Sequence, residues 1–96
     1  MTEARKTAVP TRQLENERVI VTRWDFDIGA ETGWHTHEYD YVVVPVHTGN
    51  LKIESPDGDF IAELQQGVSY TRNVGVHHNV INDNDFAFSF VEIELK

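Results

Sequence analysis

The sequence contains no cysteine, which excludes disulfide bonds and thiolate metal sites. No apolar run approaches the roughly 20 residues a helix needs to cross a bilayer. Basic residues are scarce: 8 Lys and Arg stand against 16 Asp and Glu, a formal net charge of -8. That balance argues against nucleic acid, whose binding needs Lys and Arg to replace counterions, and against an anionic membrane surface. The N-terminus, "MTEARKTAVP", lacks the apolar core of a signal peptide, so a cytoplasmic location is the expectation. No segment carries a helical stripe. The only candidate, "TRQLENERV" (11–19), has too few apolar positions.

What is present suits a single small domain. Ninety-six residues with 40% hydrophobic content form one globular unit. A chain this short buries a modest fraction of its surface, so it gains from dimerisation or a bound ion. The polar segment 1–8 is expected to be loose and 9–96 to form the domain. From Arg18 the chain reads as strands. "RVIVTRWDFD" (18–27) alternates with period two, and "YVVVPVH" (41–47) is β-branched. "LKIES" and "DFIAEL" flank "SPDGD", where Pro56 and Gly58 suit a turn. "GVSYT", "VHHNVIN" (76–82) and "FAFSFVEIEL" (86–95) complete the set. About eight short strands separated by turns predict an all-β sandwich or barrel.

The chemistry concentrates in "GWHTHEYDY" (33–41). Residues i and i+2 of a strand face one side, so His35 and His37 project together, and Tyr39 and Tyr41 follow on that face if the strand stays regular. Two imidazoles at this spacing can chelate one ion. A third ligand must come from elsewhere, and His77 or His78 in "GVHHNVIN" is the candidate. Histidine is also an ordinary surface side chain, so this pattern alone does not decide between a metal site and scattered polar residues.

The spacing resembles the cupin superfamily, a small jelly-roll β-barrel family with two signature motifs. Gly29 is followed by five residues and His35-Thr36-His37, with Gly49 further on. Gly67 is followed by five residues, Asn73-Val74-Gly75, two residues, His78, three residues and Asn82. The likeness spans 29–82, and the small single-domain cupins labelled as β-alanine-degradation proteins look most similar. The resemblance implies a metal site of His35, His37 and His78, with His77 on the opposite face. It implies a divalent ion, with Fe, Zn or Ni as candidates.

Two positions depart from the family pattern. The family glutamate falls on Tyr41 or Val42, and Asn73 replaces a proline in a turn that asparagine tolerates. The count to Gly49 is one too long if Tyr41 holds the slot, which suggests a β-bulge near Pro45. Tyr41 is the one catalytic candidate. It would hydrogen-bond a metal-bound water or substrate, ligate as a phenolate, or simply pack. Glu38 and Asp40 have the wrong parity. Tyr70 and Arg72 share a strand face and would line a pocket if that face looks inward, with a surface Arg the safer reading. His47 is a pocket or surface residue. Trp34 should point outward. Phe86, Phe88 and Phe90 form a one-sided row expected in the core.

Three histidine ligands without glutamate look similar to the thiol and diketone dioxygenases, in which Fe(II) binds substrate and dioxygen. Two functions are therefore carried forward. One is a metal-dependent enzyme on a small polar, organic-acid-like molecule, an Fe(II) dioxygenase by that analogy, with isomerase or lyase chemistry also compatible. The other is a non-catalytic cupin module that binds a small ligand or metal. By resemblance to cupins of this size, a homodimer is expected, pairing through terminal strands such as "FVEIELK".

Overall fold

The computed structural model describes residues 4–96. Residues 1–3, part of the segment expected to be loose, lie outside the described residues. Regular pairing begins before Val9: Ala8 N–H donates to Glu31 O at 2.8 Å, and Glu31 N–H donates to Lys6 O at 2.9 Å. Ala8 is itself a buried core residue.

The described residues form nine strands: β1 (Val9–Glu15), β2 (Val19–Phe26), β3 (His35–Thr36), β4 (Asp40–Pro45), β5 (Gly49–Glu54), β6 (Phe60–Leu64), β7 (Tyr70–Arg72), β8 (His77–Asn82) and β9 (Phe88–Leu95). The structure adds β1 to the strands read from sequence. This segment, weak as a helix, is exposed along its whole length and pairs with β2 at the sheet edge. It lacks the apolar alternation that marks a half-buried strand, so periodicity could not reveal it.

The strands form two antiparallel sheets, a five-stranded one in the order β1-β2-β9-β4-β7 and a four-stranded one in the order β3-β8-β5-β6. The expected barrel is therefore corrected to two facing sheets that do not close on each other. The expected edge also changes: "FVEIELK" belongs to β9, which lies between β2 and β4. The bulge expected near Pro45 is absent. β4 pairs with β9 in unbroken register from Asp40↔Leu95 to Pro45↔Phe90, and Pro45 ends the strand, where its missing N–H breaks no ladder. A register shift does occur in β1, between Arg12 and Leu14.

Alternation decides the core. From β2, Ile20, Thr22 and Phe26 are buried, and from β9, Phe88 and Phe90. Phe26, Phe88 and Phe90 join Leu51, Ile53, Leu64 and Val80 of the smaller sheet in one core cluster. Phe86 departs from the expected aromatic row. It precedes the strand and is 42% exposed.

Candidate metal centre and cavity

The two histidines of "HTH" do not continue into Tyr41 on one regular strand. β3 ends at Thr36 in the smaller sheet, and β4 begins at Asp40 in the larger one. The chain crosses between sheets over 37–39. The crossing brings the Tyr41 ring against the His37 ring as a near-parallel stack, with centroids 3.8 Å apart and planes at 16°. Asp40 turns outward and accepts the Val74 N–H at 2.7 Å. Glu38 is exposed, and Tyr39 is half-buried.

β3 pairs with β8 so that His35 lies opposite His78 and Thr36 opposite His77. The turn at Asn73–Gly75 closes this corner. Gly75, at φ 92°, and His37 exchange backbone contacts, with Gly75 N–H donating to His37 O and His37 N–H to Val76 O, both at 2.9 Å. That positive φ suits glycine. Parity then sends His77 out: it is exposed, 2.8 Å from the Thr36 hydroxyl through Nδ1, with the Trp34 ring beside it. Trp34 is itself exposed, as its position suggested.

His35, His37 and His78 converge. Their ligand nitrogens lie within 4.8 Å of one another. His35 Nε2 is 3.1 Å from His37 Nε2, and His37 Nε2 is 3.1 Å from His78 Nε2. Two imidazole nitrogens sharing an ion at 2.0–2.1 Å sit about 3 Å apart, so the spacing fits a common metal. His35 Nδ1 lies 2.8 Å from the Gly33 carbonyl and must carry the proton to donate to it, which leaves Nε2 as a free lone pair. Asn79, one residue beyond His78, fixes that turn: its Oδ1 accepts the Gly33 N–H at 2.9 Å, and its Nδ2 donates to Glu31 and Glu54 at 2.8 Å each. Asn82 plays a similar part lower down, donating to the Phe86 carbonyl at 2.9 Å and accepting from Asn84.

Burial, and then the neighbouring imidazoles, lower the basicity of His37 to about 4 and of His78 to about 3. At neutral pH both are uncharged, the form that binds metal. Burial first, and Glu92 second, raise the Tyr41 hydroxyl above its ordinary value, which favours the neutral phenol. The Tyr41 hydroxyl and Trp24 Nε1 are buried without a hydrogen-bond partner among the described residues.

Next to the histidines lies a mostly apolar cavity of about 200 Å³. A cavity of this size limits its occupant to a small molecule. Tyr70 and Arg72 do face it, with the guanidinium 4.6 Å from the Tyr70 ring centroid and exposed at the rim. His47 does not line it. It follows the far end of β4, and its Nδ1 accepts the Ser89 N–H at 3.0 Å.

Sequence reasoning missed Glu92. It lines the cavity and is only 8% exposed, on the face shared by Phe88 and Phe90. The signal was its phase: 88, 90 and 92 share one side of β9. Burial, and then Glu94, raise its carboxyl to about 7. The charged or titratable groups around it are Arg12, Glu94, Tyr41, Tyr70 and Arg72. A raised folded value means the native state binds more protons than the unfolded chain between about 4.5 and 7. Stability from this group is thus full at low pH and is lost as pH rises through that window. Glu92→Gln removes this dependence. The variant should be more stable than wild type at pH 8 by on the order of 3 kcal/mol, with the difference gone near pH 4. Urea melts at the two pH values measure this, and equal stability at pH 8 would refute it.

The comparisons agree with the architecture. No family model matches the chain. The beta-alanine degradation protein BauB of Pseudomonas aeruginosa is 53% identical over 92 residues, covering 96% of this chain and 97% of its own. The crystal structure of a cupin domain from Bordetella pertussis Tohama I is 57% identical and covers 99% of both chains at a TM-score of 0.97. The chain belongs to the cupin family. A cupin of the double-stranded β-helix type from Methanocaldococcus jannaschii matches at a TM-score of 0.78 over 99% of this chain and 85% of that one, with 15% identity, and so shares the fold alone. In this cupin, no helix among the described residues is long and apolar enough to cross a membrane.

Proposed function

We propose that this cupin holds one divalent metal ion, with Fe, Zn or Ni as candidates, on His35, His37 and His78, and acts on a small organic-acid-like molecule in the adjoining cavity. The convergence of three imidazoles beside a mostly apolar cavity carries the reading. The ion supplies Lewis acidity and open coordination positions, undiminished by a ligand carboxylate. The chain's own residues do the rest. His35 is oriented by the Gly33 carbonyl. Leu51, Ile53, Val80 and Phe90 exclude water. The Tyr41 hydroxyl, without a partner among the described residues, is free to hydrogen-bond a ligand.

The enzymatic form of the reading is an Fe(II) dioxygenase. The name of the Pseudomonas relative favours a degradative role connected with β-alanine. Protein purified without added metal should contain close to one divalent ion per chain by elemental analysis. The Fe(II) form should consume oxygen with one of a panel of thiols, diketones or β-amino and keto acids. Metal without turnover leaves a binding module. Absence of both metal and metal-induced stabilisation removes the reading altogether.

We further infer a cytoplasmic homodimer. The outer face of the five-stranded sheet carries half-buried Val19, Val21, Val42, Val44, Val91 and Ile93, an apolar surface that a second copy would cover. Light scattering at micromolar concentration should give twice the monomer mass, and a monomer there removes this inference. Fractionation of cells checks the compartment.

A further inference from the structure

The cavity has a second polar station that the metal reading does not use. Glu92 forms no salt bridge among the described residues, although it is almost wholly buried. The nearby cations are engaged elsewhere: Arg72 lies over Tyr70 and donates to the Thr71 carbonyl at 3.0 Å, and Arg12 pairs with Glu15 at 2.7 Å. A buried carboxylate without a counter-charge is costly and contributes nothing to the fold. On the same sheet, the Tyr41 hydroxyl and Trp24 Nε1 are also buried and unpartnered. All three residues line the one cavity, against Leu51, Ile53 and Val80 of the opposite sheet.

The spacing between the two stations is short. Glu92 pairs with Val43, two residues along β4 from Tyr41, whose ring stacks on His37. Two strand residues span about 7 Å, so Glu92 lies about that far along the sheet from Tyr41, the residue whose ring covers His37, and both line the same cavity. An anion at the far end would meet Glu92 unfavourably. A protonated amine would supply the missing counter-charge and convert an isolated buried acid into a charge-assisted hydrogen bond.

We propose that Glu92 binds the protonated amine of a short ω-amino acid whose carboxylate end is directed to the histidine centre. The carboxylate end rests on the metal reading; the amine end rests on Glu92 alone. Calorimetric titration of the nickel-loaded protein tests it, with 3-aminopropanoate against propanoate and with the two- and four-carbon homologues of each. At least one amino acid of the series should bind at least about tenfold more tightly than its matched carboxylate. Glu92→Gln, an isostere expected to fold, should abolish that preference and keep the same nickel content. Equal affinities in wild type, no binding by any amino acid, or a preference that survives Glu92→Gln would overturn the proposal. Elemental analysis of the same samples separates the two readings. Preference without metal supports Glu92 and removes the metal centre, whereas metal without preference does the reverse.

Discussion

His78→Ala should strip the metal from the protein, while His77→Ala should leave it in place. The two residues are neighbours in sequence and chemically identical, so composition and general stability are well controlled. β8 separates them: His78 faces His35 across the β3–β8 pair, and His77 faces Thr36 on the outside. Replacing a residue that merely orients a ligand commonly costs 10–100-fold in metal affinity, so loss of a ligand itself should exceed about 100-fold. Dialysed protein analysed for metal should fall from about one ion per chain to near none for His78→Ala and stay unchanged for His77→Ala. Metal retained by His78→Ala, or lost from His77→Ala, would mean the imidazoles that bind are not the three that converge here. Melting curves with and without added nickel give a second readout. Wild type and His77→Ala should gain stability from the ion, by mass action on the native state, and His78→Ala should not.

Phe88→Ala should cost about 3–5 kcal/mol, a large share of the stability of a domain this size. Phe88 is 0% exposed and stands opposite Phe26 in the β2–β9 ladder. Its packing leaves no slack: a methyl group built on Gly49 would come 3.0 Å from the Phe88 ring and 2.7 Å from Asn84 Oδ1. Neighbours held this tightly by backbone cannot collapse into the space a truncated side chain leaves, which sets the cost toward the upper part of the range. The melting temperature should fall by on the order of 20 °C. A urea melt showing less than 1 kcal/mol of change would refute the assignment of Phe88 to the core centre. Phe86→Ala, at an exposed residue that precedes β9, serves as the control and should change little.

The strands that sequence made legible are those with one dry face. β2 and β9 announce themselves by alternation because the core takes every second residue. β1 does not, since both of its faces are wet and it is held by backbone hydrogen bonds to β2 that any sequence can make. The three histidines were legible through two motifs and strand parity, and parity also separated His78 from His77. Parity failed between His37 and Tyr41, because it presumes one continuous strand and the chain changes sheets there. The ring stack of these two residues is a product of that crossing and has no signature in residue spacing. Glu92 was overlooked for a different reason. An acid in a terminal strand ordinarily faces solvent, and its phase with Phe88 and Phe90 gains meaning only when β9 is known to be an inner strand rather than an edge.

The crossing at residues 37–39 also divides the cavity by origin. The three histidines belong to β8, to β3 and to the residue that follows β3, while Trp24, Tyr41, Tyr70 and Glu92 hang from the five-stranded sheet. Under the proposed roles, one wall grips the ion and the other chooses the molecule. Substitutions on β7 or β9 can therefore explore new ligands while the three histidines stay in place, and changes at the histidines themselves can retune the ion while the opposite wall is kept. A chain of 96 residues arranged this way offers two independent dials for diversification, by natural drift or by design.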